Sequence, residues 1–386
     1  MIYFDAAATT PVRPEVLAAL APLYTCDFGN PSSTHSAGET AARALDYARR
    51  TAADVLGVRP GDIVFTSGGT EADNLAIKGL ALASPQGRHI VSSAVEHPAV
   101  LESLAYLQRF HGFRITLVPV DGTGRVDAAA VEAALTHDTT LCTIMTANNE
   151  VGTLQPVAEI AAACRARGIP FHTDAVQAAG WLPVSVTGTG IDAMSISGHK
   201  LGAPKGCGLL YVRGVLPLEP LLHGGGQERG RRSGTENVAG AVAMATALKL
   251  ADQERQAAAP RAAKLRDYLI ETVLDSVPGA LLTGHRTDRL PGHASFCFPG
   301  TSGESVLLEA ERAGVLCSSG SACAAGSDEP SAVLTAMGMD RETAQTAVRL
   351  SFPPSVRESE VALAARALSG AVERVRRLAG PAGTRS

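Results

Sequence analysis

The sequence predicts an α/β fold, with a mainly parallel seven-stranded sheet in a large domain and a smaller α+β unit after it. Three observations point there. Short apolar runs bounded by Gly, Ser and Asp alternate with longer stretches of helical period, the pattern of a parallel sheet covered by helices on both faces. Hydrophobic residues make up 45% of the 386, the share of a chain that folds around a core. Near Pro260 the alternation ends, and the C-terminal third of the chain mixes strands and helices without βα repetition.

In chain order, Ile63–Thr66 reads as a strand and Glu71–Ala83 as a helix, followed by a strand at Ile90–Ser92, a helix at Ala99–His111 and a strand at Ile115–Val118. Leu141–Thr146, Phe171–Asp174, Ala193–Ser197 and Leu209–Val212 complete the seven strands, with a helix at Val157–Arg167. Asn237–Glu254 is an Ala-rich helix, and Pro260 within Ala257–Ala263 marks a boundary. A helix at Lys264–Val277, strands near Ala294–Phe298 and Ala347–Phe352, and a last helix at Ser359–Leu378 build the smaller unit. The expected division is 1–15 as an N-terminal segment packing with the small domain, 16–256 as the large domain, 257–378 as the small domain and 379–386 as a frayed tail.

Composition excludes several classes. A net charge of −4 argues against direct nucleic-acid binding, which needs a basic footprint. The N-terminus lacks the basic start and apolar core of a signal peptide, and no run of 18 apolar residues suggests a membrane span. Seven cysteines, an odd count without CxxC spacing, indicate a reducing cytoplasm rather than a disulfide framework. Each is expected to be a small buried apolar residue, with Cys323 set apart. Only five of the 34 basic residues are lysines: Lys78, Lys200, Lys205, Lys249 and Lys264.

Three constellations can carry chemistry. Phe65-Thr-Ser-Gly-Gly-Thr-Glu71 runs from a strand through a Ser/Gly/Thr turn into a helix, where free amides and the helix dipole favour an anion. Its spacing is not that of a Walker loop, and a helix start capped by Thr70 is the simpler alternative. Asp174 ends one strand and Lys200 follows another, in Ser197-Gly-His-Lys200. An acid and an amine at strand ends suit pyridoxal phosphate, with the lysine for a Schiff base and the aspartate for the pyridinium nitrogen. Lys78 and Lys249 fall in helices, Lys264 beside one and Lys205 in a turn, which leaves Lys200 as the best amine. Last, Cys323 stands among small residues in Leu316-Cys-Ser-Ser-Gly-Ser-Ala-Cys-Ala-Ala-Gly-Ser327, a reachable thiol or an incidental one. Cys317, at a strand end, is expected to be buried. Gly188-Thr-Gly-Ile-Asp-Ala193 spells a dinucleotide-like G-x-G-x-x-A, but a strand comes after it where a helix is required, so it reads as a turn.

Taken together the motifs resemble the NifS/IscS cysteine desulfurases. Tyr3-Phe-Asp-Ala-Ala-Ala-Thr-Thr10, Gly29-Asn-Pro-Ser-Ser-Thr-His35, the turn at 65–71, Glu96-His-Pro98 and Asn148-Asn-Glu-Val-Gly152 recur there in this order. So do His172-Thr-Asp-Ala-Val-Gln177, Ser197-Gly-His-Lys200, Gly224-Gly-Gly-Gln-Glu-Arg229, Arg232-Ser-Gly-Thr235 and Ser319-Gly-Ser-Ala-Cys323. The resemblance implies fold type I of the pyridoxal-phosphate enzymes, a homodimer, and transfer of sulfur from L-cysteine, released as L-alanine, to a persulfide on Cys323. It implies Lys200 as the Schiff-base lysine, Asp174 against the ring nitrogen, His97 stacked on the ring and moving protons, and Gln177 at the ring hydroxyl. Gly69, Thr70, Ser197 and His199 would hold the phosphate, with Thr235 reaching in from the other subunit. Asn149 and Arg349 would take the substrate carboxylate, a task suited to the planar fork of arginine. The sulfur acceptor would be a protein such as an iron–sulfur scaffold, with a transient iron–sulfur contact at Cys323. A selenocysteine lyase or another class V aminotransferase-type enzyme is the alternative on the same fold. A catalytically silent adaptor is the alternative of a different class.

Overall fold

The computed structural model describes residues 1–83, 86–320 and 329–379. The expected frayed tail, from 380 on, lies outside them. In chain order the strands are β1 (Ile2–Tyr3), β2 (Ile63–Thr66), β3 (His89–Ser93), β4 (Arg114–Val118), β5 (Thr139–Thr143), β6 (Phe171–Asp174), β7 (Ala193–Ser197), β8 (Gly208–Val212), β9 (Leu281–Leu282), β10 (His293–Cys297), β11 (Val315–Leu316) and β12 (Ala347–Ser351). Seven of them form the central sheet in the order β2-β8-β7-β6-β5-β3-β4. β8 is antiparallel to both neighbours and all other pairings are parallel. Two antiparallel steps restore direction, so β2 points the same way as β7. The carboxyl ends of β2, β3, β5, β6 and β7 therefore share one edge.

The middle strands are buried along their whole length, as expected for a sheet covered on both faces. The helix Gly69–Ala83 packs on one face, against β7, β8 and β5. The helix Ser36–Leu56 was not expected from the sequence, although Ala41, Leu45, Ala48, Ala52 and Leu56 recur on its buried face. His35 Nδ1 accepts the Gly38 amide at its start, and Gly57 closes it at φ 67°, where a side chain would be strained. It packs against the helix Val238–Ser276.

Two expected boundaries move. The break at Pro260 is absent, because Val238–Ser276 is one helix of 39 residues with Pro260 inside it. Proline deletes one backbone donor and crowds the carbonyl four residues back. Here that residue, Gln256, is exposed, so water can take over. What changes at this point is the core. Buried residues of the helix up to Ala251 pack with the central sheet, whereas Ala262, Leu269, Ile270 and Val273 join Phe296, Phe298 and Leu350 in a second cluster. The strand expected at Leu141–Thr146 is instead Thr139–Thr143, since the Met145 amide turns to the Glu96 carboxylate at 3.0 and 3.1 Å.

The second cluster lies under the antiparallel sheet β12-β10-β9 and the helices Gly303–Arg312 and Glu358–Ala379. The start of the chain touches both cores. β1 pairs with β11 and Phe4 enters the second cluster, while Val16 and Leu20 belong to the first.

A buried ion pair fastens the segment before the long helix. Arg49 meets Glu228 through two hydrogen bonds of 2.7 and 2.6 Å, and the same carboxylate accepts the Phe65 amide at 3.2 Å. Glu228 and Arg229 adopt φ of 50° and 60°, conformations that side chains disfavour. Replacing Glu228 by Ala strands a buried guanidinium, and unfolding in urea should report a loss of about 3–5 kcal/mol. Glu228→Gln should cost clearly less.

Candidate active site

The shared edge of the sheet gathers most of the residues singled out in the sequence. β2 ends in the Ser67–Thr70 turn, β3 leads to His97, β5 leads to Asn149, β6 ends on Asp174, and β7 runs into the short turn Gly198–Lys200. In an open α/β sheet this is the edge where ligands bind.

The helix after the turn begins at Gly69, two residues before the expected start. Thr70 therefore sits in its first turn and does not cap it. The amides of that turn have no carbonyl within the helix to bond. The Ser67 amide is taken by Glu71 Oε2 at 2.7 Å, and Glu71 is held in turn by Arg232 at 2.8 Å. Packing here leaves no room for side chains. A Cβ on Gly208 would lie 2.6 Å from the Gly68 backbone, and one on Gly69 would lie 2.8 Å from Val176 Cγ2. The turn is thus pressed between β8 and the residues just after Asp174, with the Ser197 side chain beside Gly69.

Asp174 is buried, and its Oδ1 accepts the Val176 amide at 2.8 Å. Burial raises its pKa, while the Val176 bond, His97 and Lys200 oppose the rise. His97 precedes the helix Pro98–His111, and its Nδ1 accepts the Ala99 amide at 3.1 Å. Burial lowers its pKa, with Asp174 opposing and Lys200 adding to the shift. These three groups therefore feel one another directly. Lys200 Nζ donates to the Ala7 carbonyl and, at 2.7 Å, to that of Ala8. Gln177 Nε2 donates to Ala7 O at 3.0 Å, and His199 Nδ1 lies 3.1 Å from Thr9 Oγ1. The His199 ring is pushed down to about 4 by burial, then by Lys200 and Lys205.

Arg349 comes from β12, in the second unit, yet reaches the same place. Its Nη1 donates to Asn149 O at 3.0 Å and its Nη2 pairs with Asp5 at 2.7 Å, while Nε is buried with no hydrogen-bond partner. A small cavity of ≈ 40 Å³ separates Lys200 and Gln177 from His293 and Ser351 of the second unit. Thr235 is the exception. It is exposed and lines a different cavity, of ≈ 230 Å³, with Ser67, Gly208 and Arg232.

Three groups at the site escaped sequence reasoning. Asp5 lay inside the Tyr3–Thr10 motif but carried no assignment. Glu96 and Asp73 are buried carboxyls behind Asp174; Glu96 stood in the Glu96-His-Pro98 motif without an assignment, and Asp73 carried no signal in the helix after the turn. Among the described cysteines, Cys142, Cys164, Cys207 and Cys297 are buried as expected, Cys26 is exposed, and Cys317 is half-buried with burial pushing its thiol up to about 12. Cys323 lies outside the described residues. The stretch at Gly188–Ala193 is a turn leading into β7, as its sequence context implied.

The class-V aminotransferase family matches residues 2–363. A cysteine desulfurase IscS of Methanosarcina thermophila is 48% identical over 91% of this chain and 87% of its own. The chain belongs to the IscS/NifS cysteine desulfurases. Among solved structures, a NifS-like protein superposes with a TM-score of 0.90 at 38% identity, covering 97% of this chain and 99% of that one. SspA in complex with cysteine superposes at 0.79 with 37% identity, covering 92% and 99%. Membership of this desulfurase family implies a pyridoxal-phosphate enzyme. The donor set fits that cofactor: a glycine turn where a Cβ would clash, a buried acid, and an amine at the end of the next strand but one from the turn.

Two outcomes are expected. Gly208→Ala should displace the 67–70 turn and weaken cofactor retention at least ~10-fold, read as loss of visible absorbance on dialysis. His172, buried in β6, has its pKa pushed down to about 3 by burial. The unfolded chain binds a proton below about 6.5 that the folded chain refuses, so stability falls as pH drops from that point toward 3. His172→Gln should flatten this acid slope by up to ~1.4 kcal/mol per pH unit, measured by thermal unfolding.

Proposed function

We propose that this desulfurase takes sulfur from L-cysteine, releases L-alanine and retains the sulfur as a persulfide on Cys323 for transfer to an acceptor. The observation that carries the residue assignment is the convergence of Lys200, Asp174 and His97 beside the glycine turn, close enough for each to shift another's titration. Lys200 would hold the cofactor's aldehyde carbon and Asp174 its ring nitrogen. Gln177 would face the ring hydroxyl, with Asn149 at its edge. Gly69, Thr70, Ser197 and His199 would hold the phosphate. When bound, pyridoxal phosphate supplies an electron sink for the substrate's Cα.

The chain's own residues do the rest. Arg349 receives the substrate carboxylate with Asn149 beside it; a buried Nε without a partner leaves one donor for such an anion. Asp5 and the Asn149 carbonyl hold the guanidinium in place. His97 exchanges protons at Nε2, the ring nitrogen that the Ala99 amide leaves open. The Cys323 thiolate forms an S–S bond to the substrate sulfur while the C–S bond breaks, its electron pair staying with the carbon skeleton that becomes alanine. A serine could not do this, because only sulfur forms the persulfide.

The enzyme acts as a cytoplasmic homodimer in this reading, with Thr235 of the partner subunit completing the phosphate site. Two features support it. Thr235 is exposed and lines a cavity that Lys200 of the same chain does not reach, and the N-terminal segment presents Tyr24, Phe28 and Tyr47 to solvent. No helix among the described residues is long and apolar enough to cross a membrane, and the described cysteines are all free. The acceptor is a protein such as an iron–sulfur scaffold, with Cys323 in transient contact with its iron.

The test is to follow alanine and sulfide from purified protein supplied with L-cysteine and a reducing thiol. Cys323→Ala should lower sulfide release at least ~100-fold and keep the visible cofactor band. Lys200→Ala should lose both. Undiminished turnover by Cys323→Ala would replace this reading with the aminotransferase one.

A further inference from the structure

Behind Asp174 the sheet carries a polar chain that the reaction does not use. On the face covered by the helix Gly69–Ala83, His172 of β6 sits between Thr143 of β5 and Ser195 of β7, with Nδ1 2.8 Å from Thr143 Oγ1 and Nε2 3.0 Å from Ser195 Oγ. Above them the helix contributes Asp73, which is 1% exposed. Its Oδ1 has no hydrogen-bond partner, and its one ion-pair contact among the described residues is His172 Nε2 at 3.8 Å. That imidazole already serves two hydroxyls and stays neutral at physiological pH.

Asp73 is thus surrounded by acids and neutral groups. From β6 it faces Asp174 and His172, from β7 Ser195, and from the segment after β3 Glu96. His97 and Lys200 lie beyond Asp174. Glu96 is itself fully buried, bonded to Ser93 Oγ at 2.6 Å and to the Met145 amide. A bare carboxylate buried without a cation costs several kcal/mol, and three such anions around one strand end would repel one another. Burial, then Asp174, push the Asp73 carboxyl well above the usual range, with the neighbouring Ser195 hydroxyl opposing. Glu96 rises to about 8, chiefly through burial.

We propose that Asp73 is a positioning residue that acts as an uncharged acid: it lies over the chain Thr143–His172–Ser195 from the helix side and leaves Asp174 the only anion of the cluster. This rests on the assignment of Asp174 to the cofactor's ring nitrogen. A second anion behind Asp174 would draw a proton onto it and loosen its hold on that nitrogen.

The experiment uses the holoenzyme and three readouts that do not depend on sulfur release, so its failure is distinct from failure of the desulfurase reading. Asp73→Asn supplies a neutral isostere. The pH midpoint of the visible cofactor band should stay within about 0.3 units of the parent in Asp73→Asn, whereas removing a true anion nearby would shift it by about a unit or more. Thermal unfolding gives the sign independently. The unfolded parent releases the Asp73 proton above about pH 4 while the folded parent keeps it, so the parent loses ground as pH rises. The melting temperature of Asp73→Asn minus that of the parent should therefore increase by about 2 °C or more from pH 5 to pH 8. Asp73→Ala, which removes the group packed over the chain, should lose cofactor on dialysis at least ~5-fold faster than Asp73→Asn. A displaced midpoint, a melting difference that is flat or falls with pH, or equal cofactor loss in the two variants would each overturn the proposal.

Discussion

Burying a carboxyl at a strand end inside a covered sheet is the constraint around which the site is arranged. Asp174 ends β6 between two other parallel strands, buried and without a direct arginine partner among the described residues. Burial raises its pKa. The opposing groups are local: the Val176 amide, the His97 ring and the Lys200 amine. Each is supplied by a different strand end or by the turn right after β6, so the parallel topology is a precondition of the electrostatics. Antiparallel β8 matters as well. It reverses the direction twice and so returns the end of β2, with its glycine turn, to the edge that carries Asp174 and Lys200.

The N-terminal segment ties this edge to the second unit. Asp5 pairs with Arg349 and bridges to Ser351, the Ala7 amide bonds Ser351 Oγ, and the carbonyls of Ala7 and Ala8 receive Lys200. Thr9 and Thr10 bond His199. A stretch of small residues suits this path, because its backbone can pass between two cores and offer carbonyls at close range. The buried guanidinium of Arg349 is thereby held from three sides, by Asp5, Asn149 and Gly320. Its orientation is thus fixed by the protein itself.

Much of this was legible in the letters. The seven central strands follow from short apolar runs bounded by turn residues, since a strand covered on both faces is rich in apolar residues. Lys200 stood out because few lysines compete with it, and Asp174 because an acid at the end of an apolar run is rare. The long helix through Pro260 was not legible. Proline normally ends a helix, and only an exposed neighbourhood at Gln256 makes its missing donor tolerable. The helix Ser36–Leu56 was obscured by arginines and small residues, whose amphipathic stripe has meaning only once its partner helix is known.

The sequence by itself determined the fold class, the family, and the chemistry available to the site: one amine, one strand-end acid, one glycine turn and one cysteine among small residues. Those are properties of residue type and local spacing, which short-range sterics and hydrophobic period express directly. The tertiary structure alone decided which charges face each other. Asp5 and Arg349 are 344 residues apart in the chain, and Asp73 reaches the Ser195–His172 chain only because a helix crosses the sheet at that point. Burial and like-charge proximity are set by the whole fold. They, rather than residue identity, determine whether a buried aspartate is an anion or an acid.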